Sequence, residues 1–205
     1  MDNLSPLEQK VSQMAQVALA MLKATFDGFM KHDAQILAGV LENEQKLNDL
    51  EKSVTTALVD MARDKISAKD KKNLMRVADI SADLEQIGDY IKDMVERIEI
   101  KIEEKLLFSE DAVEEYKHLY NAVEAELEDI KKALEMGDKD FAKRVFCDEG
   151  HVDKLVHKCR NAHAKRLVSG GCEPRSCNMF LNLLDFTAQI SHHSKAIARN
   201  ILYLK

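Results

Sequence analysis

The chain has few of the residues that interrupt regular structure: its 205 residues include 2 prolines, 7 glycines and no tryptophan. The two prolines, Pro6 and Pro174, lie near opposite ends, and none occurs between them. Sheet-based folds of this size need many turns, and tight turns rely on glycine and proline. This scarcity therefore argues against a sheet-based fold and favours a few long helices.

A basic surface, a long apolar run and cysteine pairs are missing as well. The net charge of −6 argues against binding nucleic acid through a general basic surface. The longest uncharged run near the N-terminus, residues 11–22, is shorter than the roughly 20 apolar residues that cross a bilayer. The four cysteines contain no CxxC pair, which favours reduced thiols (Cys147, Cys159, Cys172 and Cys177). We expect a soluble cytoplasmic chain without a membrane span.

What the sequence does contain is helical periodicity, in six successive stretches. The predicted helices run over about residues 6–30, 34–65, 68–105, 110–136, 139–169 and 175–205. Asp33, Ser109 and Asp138 precede three of them and are predicted N-caps, because their side chains accept hydrogen bonds from the first free backbone N–H groups. The third stretch carries the most regular apolar stripe, which is typical of a long amphipathic helix.

The second half of the chain aligns with the first as an internal repeat. A shift of 105 residues places the second helix on the fifth, so that Asp33 matches Asp138 and Glu44 matches Glu149. A shift of 103 places the third helix on the sixth. A shared cap and a shared acid favour duplication over a chance match of apolar positions. The predicted fold is all-α, with two tandem three-helix bundles of long antiparallel helices over residues 1–106 and 107–205.

The strongest local motif is the segment DLEQIGDYIKDM, residues 83–94. Glu85 and Asp89 stand one helical turn apart, about 6 Å between Cβ atoms, where like charges repel unless a cation lies over them. Gly88 lies between the two acids and makes room for a metal or a neighbouring helix. Clustered carboxylate oxygens suit divalent cations and ferric iron. A solvated acidic face is the alternative, because helices rich in acids often produce this spacing.

The repeat supplies partners for this pair. Glu149 and Asp153 form a second ExxxD pair on the predicted fifth helix. Glu44 and Asn48 are its counterpart on the second helix, with an amide in place of the second carboxylate. Two facing helices that each offer such a pair would build a site for a cation.

The string DLEQIGD resembles the signature of the PhoU family, whose third and sixth helices carry a DLERIGDHA-like motif. The resemblance implies a duplicated three-helix bundle whose ExxxD pairs bind divalent or trivalent metal, most commonly iron or zinc. Carried over by position, it implies metal ligands in both repeats: Glu44, Asn48, Glu85, Asp89, Glu149 and Asp153. The sixth helix departs from the family pattern, because Ala188 and His192 occupy the matching positions. We include His192 as a candidate ligand.

Residues 149–172 are closest to the PhoU-like domain that follows the membrane part of bacterial Na⁺/phosphate cotransporters. The matching features are the acid pair, then Arg160, His163 and Arg166, then glycines and Cys172. The three basic residues could together attract an anion. The alternative is structural, in which they pair with acids of neighbouring helices.

The resemblance implies a regulator or accessory domain of phosphate uptake that is not an enzyme. It would contact the membrane component of a phosphate transporter or a sensor kinase. It would act in the cytoplasm or at the inner face of the membrane, and the resemblance leaves open whether it forms a homodimer. One alternative is a cotransporter's cytosolic domain that acts as a scaffold without metal, and another is a purely structural coiled coil. A ferritin-like di-iron protein is disfavoured, because it needs two ExxH motifs and the chain has one, at residues 115–118.

Overall fold

The computed structural model describes residues 5–63, 67–148, 150–171 and 173–204. All regular structure within these ranges is helical, as predicted. The helices are α1 (Ser5–Lys31), α2 (Ala34–Ala62), α3 (Ala68–Glu103), α4 (Glu110–Met136), α5 (Lys139–Phe146), α6 (His151–Val168) and α7 (Pro174–Tyr203). In the same ranges, none of the helices combines the length and the apolar character that a membrane span requires.

Each predicted N-cap residue immediately precedes the helix that it was predicted to cap. Asp33 accepts hydrogen bonds from two backbone N–H groups of α2, Ser109 accepts one from α4, and Asp138 accepts one from α5. Gly137 ends α4 in the left-handed conformation (φ 67°), which favours glycine because it has no Cβ. Short polar side chains and one glycine therefore determine where the chain turns between helices.

The predicted fifth helix is wrong as a single element, because α5 ends at Phe146 and α6 begins only at His151. Gly150 precedes α6 with φ 69° and ψ 34°, a left-handed conformation through which a right-handed helix cannot continue. Its N–H donates to the carbonyl of Asp148 instead of to a helical partner. The sequence does not reveal the break because the apolar spacing continues across it, and Val145 and Val152 on either side are both buried.

The third-helix stripe forms much of the core. Every residue of the predicted stripe up to Ile98 is buried: Leu74, Val77, Ile80, Leu84, Ile87, Ile91, Met94 and Ile98. Helices α1–α3 pack against one another. Helices α4 and α7 pack against each other and against both α5 and α6, while α3 with α7 and α1 with α4 join the two groups. The most extensive helix–helix contact is that of α3 with α7.

Two reciprocal contacts show how α3 and α7 are related. Asp83 of α3 lies against His193 of α7, with 2.8 Å between Oδ1 and Nδ1. Phe186 of α7 lies against Tyr90 of α3, with ring centroids 6.3 Å apart. The offset of 103 that aligns the two helices equates residue 83 with 186 and residue 90 with 193. The same pair of positions is therefore used twice, which is the arrangement that a two-fold axis produces.

The prediction of four reduced cysteines is wrong for Cys177, which is disulfide-bonded. Cys147 and Cys159 are free. Cys172 lies outside the described residues. The prediction considered only the missing CxxC motif, whereas a disulfide depends on the distance between two Cα atoms and not on that spacing.

Candidate carboxylate sites

The first cluster lies between α2 and α3 and centres on Glu44. Glu44 is only 9% exposed, and its Oε1 accepts a hydrogen bond from Asn48 Nδ2 at 2.9 Å. The same oxygen receives the Lys92 ammonium from α3 at 3.3 Å. The predicted Glu44–Asn48 pair thus faces α3, as the family resemblance implied. Sequence reasoning missed Lys92, although it is part of the quoted motif one turn after Asp89.

Gly88 allows α2 and α3 to approach at this cluster. A Cβ on Gly88 would lie 2.4 Å from Cδ2 of Leu47, which is fully buried. Such a separation is far below the van der Waals contact distance, so a side chain at residue 88 would force Leu47 to move. Of the two uses predicted for the space beside Gly88, a metal or a neighbouring helix, the structure shows a neighbouring helix, α2.

Negative charge accumulates on the α3 side of the cluster. Burial raises the pKa of Asp89, and the nearby Glu85 and Glu44 raise it further, while Lys92 opposes them. The carboxylate of Glu85 also accepts a hydrogen bond from the Gln86 amide at 2.9 Å. The three acids and one amide predicted on α2 and α3 therefore share one electrostatic environment, in which a positive charge is stabilised.

The second cluster is more open. His192 Nε2 lies 3.4 Å from Asp153 Oδ1, and both side chains are about half exposed, at 53% and 52%. The two residues predicted to face each other from the second repeat do meet. Ala188, which replaces the counterpart of Glu85, is packed against the core and has no ligand atom in its side chain. Glu149, the other predicted ligand, lies outside the described residues.

Sequence reasoning also missed a buried acid beside this cluster. Glu126 of α4 is 8% exposed, and neither of its carboxylate oxygens has a hydrogen-bond partner within the described ranges. Burial raises its pKa to about 7, with Asp148 and Asp153 adding to the shift and the nearby Ser191 and Lys195 opposing it. The signal was its spacing: Glu126 falls on the apolar stripe of α4, where a charged residue is costly.

As arranged, these side chains do not fit the metal that the family resemblance implies. Over the described ranges, no three His, Cys, Asp or Glu side chains converge as ligands. The Glu44 oxygen that faces α3 already receives an ammonium and an amide. In the second cluster, Nε2 of His192 is already paired with Asp153 Oδ1, 3.4 Å away. Metal binding at the predicted residues stays a prediction.

Two of the three basic residues proposed as an anion site pair with acids instead, and the third is buried. Arg166 donates two hydrogen bonds to Glu115, at 3.0 and 2.9 Å, and Arg160 pairs separately with Asp185. His163 is buried and stacks on the Phe180 ring, and burial together with Arg166 lowers its pKa. These contacts favour the structural alternative, because both guanidinium charges are already neutralised.

A known protein family matches the part of the chain that contains the motif at residues 83–94. Residues 11–98 match the PhoU domain family, and this range contains Glu44, Gly88, Asp89 and Lys92. Over this range the chain is similar to PhoU domains. The resemblance read from DLEQIGD is thereby confirmed, and the first cluster lies within the matched range.

Individual relatives extend the likeness beyond that range. The chain is 21% identical to "Phosphate-specific transport system accessory protein PhoU homolog 1" of Thermotoga maritima, over 98% of this chain and 87% of that protein. It is 27% identical to a PhoU homolog of Xylella fastidiosa, over 47% of this chain and 40% of that one.

Two solved structures share the fold over nearly all residues. PhoU from Pseudomonas aeruginosa superposes with a TM-score of 0.89 at 20% identity, covering 99% of this chain and 97% of that one. The phosphate transport system regulatory protein PhoU from Streptococcus pneumoniae gives a TM-score of 0.84 at 13% identity, covering 98% and 94%. At these identities the likeness establishes the helical architecture, which agrees with the predicted fold.

Proposed function

We propose that this chain is a regulatory accessory protein of a phosphate transport system. The observation that carries the proposal is the likeness to the Thermotoga maritima accessory protein, which extends over 98% of the chain and so includes both repeats. The PhoU domain at residues 11–98 supports the same assignment. A regulator of this kind acts by contact with other proteins and needs no reaction centre of its own.

The partner in this proposal is the membrane component of the transporter or the sensor kinase that reports phosphate supply. The chain offers rigid, fully helical faces, and its two repeats present different chemistry. Acids and one lysine line the first cluster between α2 and α3, whereas a half-exposed Asp153–His192 pair lies on the second. This asymmetry supports a role in which each repeat meets a different partner surface.

The direct test is phosphate uptake in cells of the source organism that lack the gene. We expect uptake to stay high in phosphate-rich medium, because the signal that lowers it no longer reaches the transporter. Expression of the intact chain should restore the decrease. Unchanged uptake, with an unchanged response to phosphate, would contradict the proposal.

Co-purification identifies the partner. The chain, crosslinked in cells and isolated from solubilised membranes, should retain either the transporter's membrane component or the sensor kinase. The alternative of a cotransporter's cytosolic domain makes a different prediction, because phosphate uptake that depends on the chain would then require sodium. Sodium-independent uptake with a normal response to the chain would exclude that alternative.

A further inference from the structure

Lysines stand at equivalent positions of the two repeats, one turn after the site residues. Lys92 of α3 and Lys195 of α7 are separated by the 103 residues that relate these helices, as are Asp89 and His192. Each lysine forms an ion pair within its own repeat. Lys92 Nζ lies 3.3 Å from Glu44 Oε1, and Lys195 Nζ lies 3.5 Å from Asp148 Oδ2.

The lysines persist where the predicted metal ligands do not. The second repeat replaces the counterparts of Glu85 and Asp89 with Ala188 and His192, so its third helix contributes no carboxylate at these positions. It nevertheless keeps the lysine and an acid to receive it. A lysine of the third helix that pairs with an acid from the preceding part of its own repeat is thus the chemical feature that the two clusters share. The two acids are not at equivalent positions, because Asp148 directly precedes Glu149, the counterpart of Glu44.

The position of each ammonium is the position that a bound cation would take. Lys92 faces Glu44, Asp89 and Glu96, and Lys195 faces Asp148 and the buried Glu126. A metal ion bound by Glu44 and Asp89 would have to displace the ammonium from Glu44. If the ammonium stayed, two positive charges would lie a few ångströms apart, which is unfavourable even where solvent screens them in part.

We propose that Lys92 and Lys195 are the resident cations of the two carboxylate clusters, and that each lysine opposes metal binding in its repeat. An ammonium–carboxylate pair, in place of a metal ion, then holds α2 to α3 in the first repeat and the connection between α5 and α6 to α7 in the second. This inference concerns the clusters alone and does not depend on the role in phosphate transport.

The decisive variant is Lys92→Met, which keeps the length of the side chain and removes its charge. The purified, untagged and metal-stripped protein is titrated with Zn²⁺ by calorimetry, and bound zinc is counted by elemental analysis. We expect Lys92→Met to bind Zn²⁺ at least about tenfold more tightly than the wild type, because the like charge is gone. Added Zn²⁺ should also raise its melting temperature more than that of the wild type.

Three further variants identify the cause. Lys72→Met removes an exposed lysine of the same helix and should bind Zn²⁺ as the wild type does. Lys92→Arg keeps the positive charge and should bind as weakly as the wild type. Asp89→Asn added to Lys92→Met should abolish the gain. In the second repeat, Lys195→Met should gain affinity in the same way, with the exposed Lys158→Met of α6 as its control.

The proposal is overturned if the wild type binds one equivalent of Zn²⁺ tightly and Glu44→Gln removes that binding. It is also overturned if folded Lys92→Met, judged by circular dichroism, binds no more tightly than Lys72→Met. Should Lys92→Met fail to fold, Lys92→Gln retains a polar side chain and is subject to the same criterion, while the wild-type measurement stands on its own.

Discussion

The two carboxylate clusters occupy equivalent places in a duplicated fold, and they differ in almost every chemical respect. In the first, a nearly buried Glu44 is held between α2 and α3 by an amide and an ammonium. In the second, the helix is interrupted before His151, and the Asp153–His192 pair is half exposed. Both repeats retain the apolar stripes, and their third helices, α3 and α7, pack against each other. Packing therefore restrains the core positions of the two repeats alike, whereas the charged positions on the helix faces have diverged.

The largest effect should come from closing the space beside Gly88, which only the first cluster uses. Gly88→Leu should lower the free energy of unfolding by about 3 kcal/mol, because a leucine there overlaps the buried Leu47 and forces it out of its packed position. Gly39→Leu on α2 is the matched control, since a Cβ at Gly39 contacts nothing within 4 Å. Urea unfolding measures both variants. Equal stability of the two would show that α2 and α3 do not need this close approach.

The second-largest effect should come from Glu126, beside the second cluster. Its pKa is raised to about 7, so the folded chain holds a proton that the unfolded chain releases at about pH 4.5. Stability should therefore fall as pH rises from about 4.5 to about 7. Glu126→Gln should remove that slope and raise the free energy of unfolding at pH 8 by about 2 kcal/mol.

Unfolding of the wild type and of Glu126→Gln is compared at pH 5, 6, 7 and 8. The variants should be similar at pH 5 and should separate progressively above it. A slope that survives the substitution would assign the pH dependence to other groups.

A smaller effect should come from the contacts that join the repeats. Asp83→Ala removes one half of the reciprocal contact and should cost about 1 kcal/mol, because it leaves His193 without its carboxylate. A double-mutant cycle with His193→Ala should give a coupling of about 0.5–1 kcal/mol. The equivalent cycle for Tyr90 and Phe186 should give a similar value from aromatic contact. A coupling near zero in both cycles would mean that apolar packing alone joins the repeats.

The smallest effect should come from His192→Ala. Its contact with Asp153 is exposed on both sides, so its loss should change the free energy of unfolding by less than about 0.5 kcal/mol. Thermal unfolding at low and high salt measures this change. A loss above about 1 kcal/mol would show that the second cluster is as structurally important as the first.

Sequence reasoning succeeded where one local rule determines the structure. The caps Asp33, Ser109 and Asp138 and the stripe of α3 follow from hydrogen bonding and helical spacing within a few residues. The family resemblance, carried over by position, also placed Glu44 and Asn48 opposite α3. These features depend on order along the chain, which a sequence displays directly.

Sequence reasoning failed where the role of a residue depends on a neighbour that is distant in the sequence. Gly150 was overlooked because apolar spacing continued on both sides of the break. Glu126 and Lys92 were not among the predicted site residues, because only the packing of α4 against α7 and of α2 against α3 brings them to the clusters. The bonded state of Cys177 likewise depends on distance in space and not on sequence spacing.

The reciprocal contacts between α3 and α7 also favour pairing of the first repeat with the second over pairing of either repeat with a copy of itself. If two copies of the first repeat paired through their third helices, Asp83 would meet Tyr90 twice. If two copies of the second repeat paired, Phe186 would meet His193 twice. Only the mixed pair brings acid to imidazole at one end and ring to ring at the other. Once the two sequences had diverged in this way, each half became a better partner for the other than for itself.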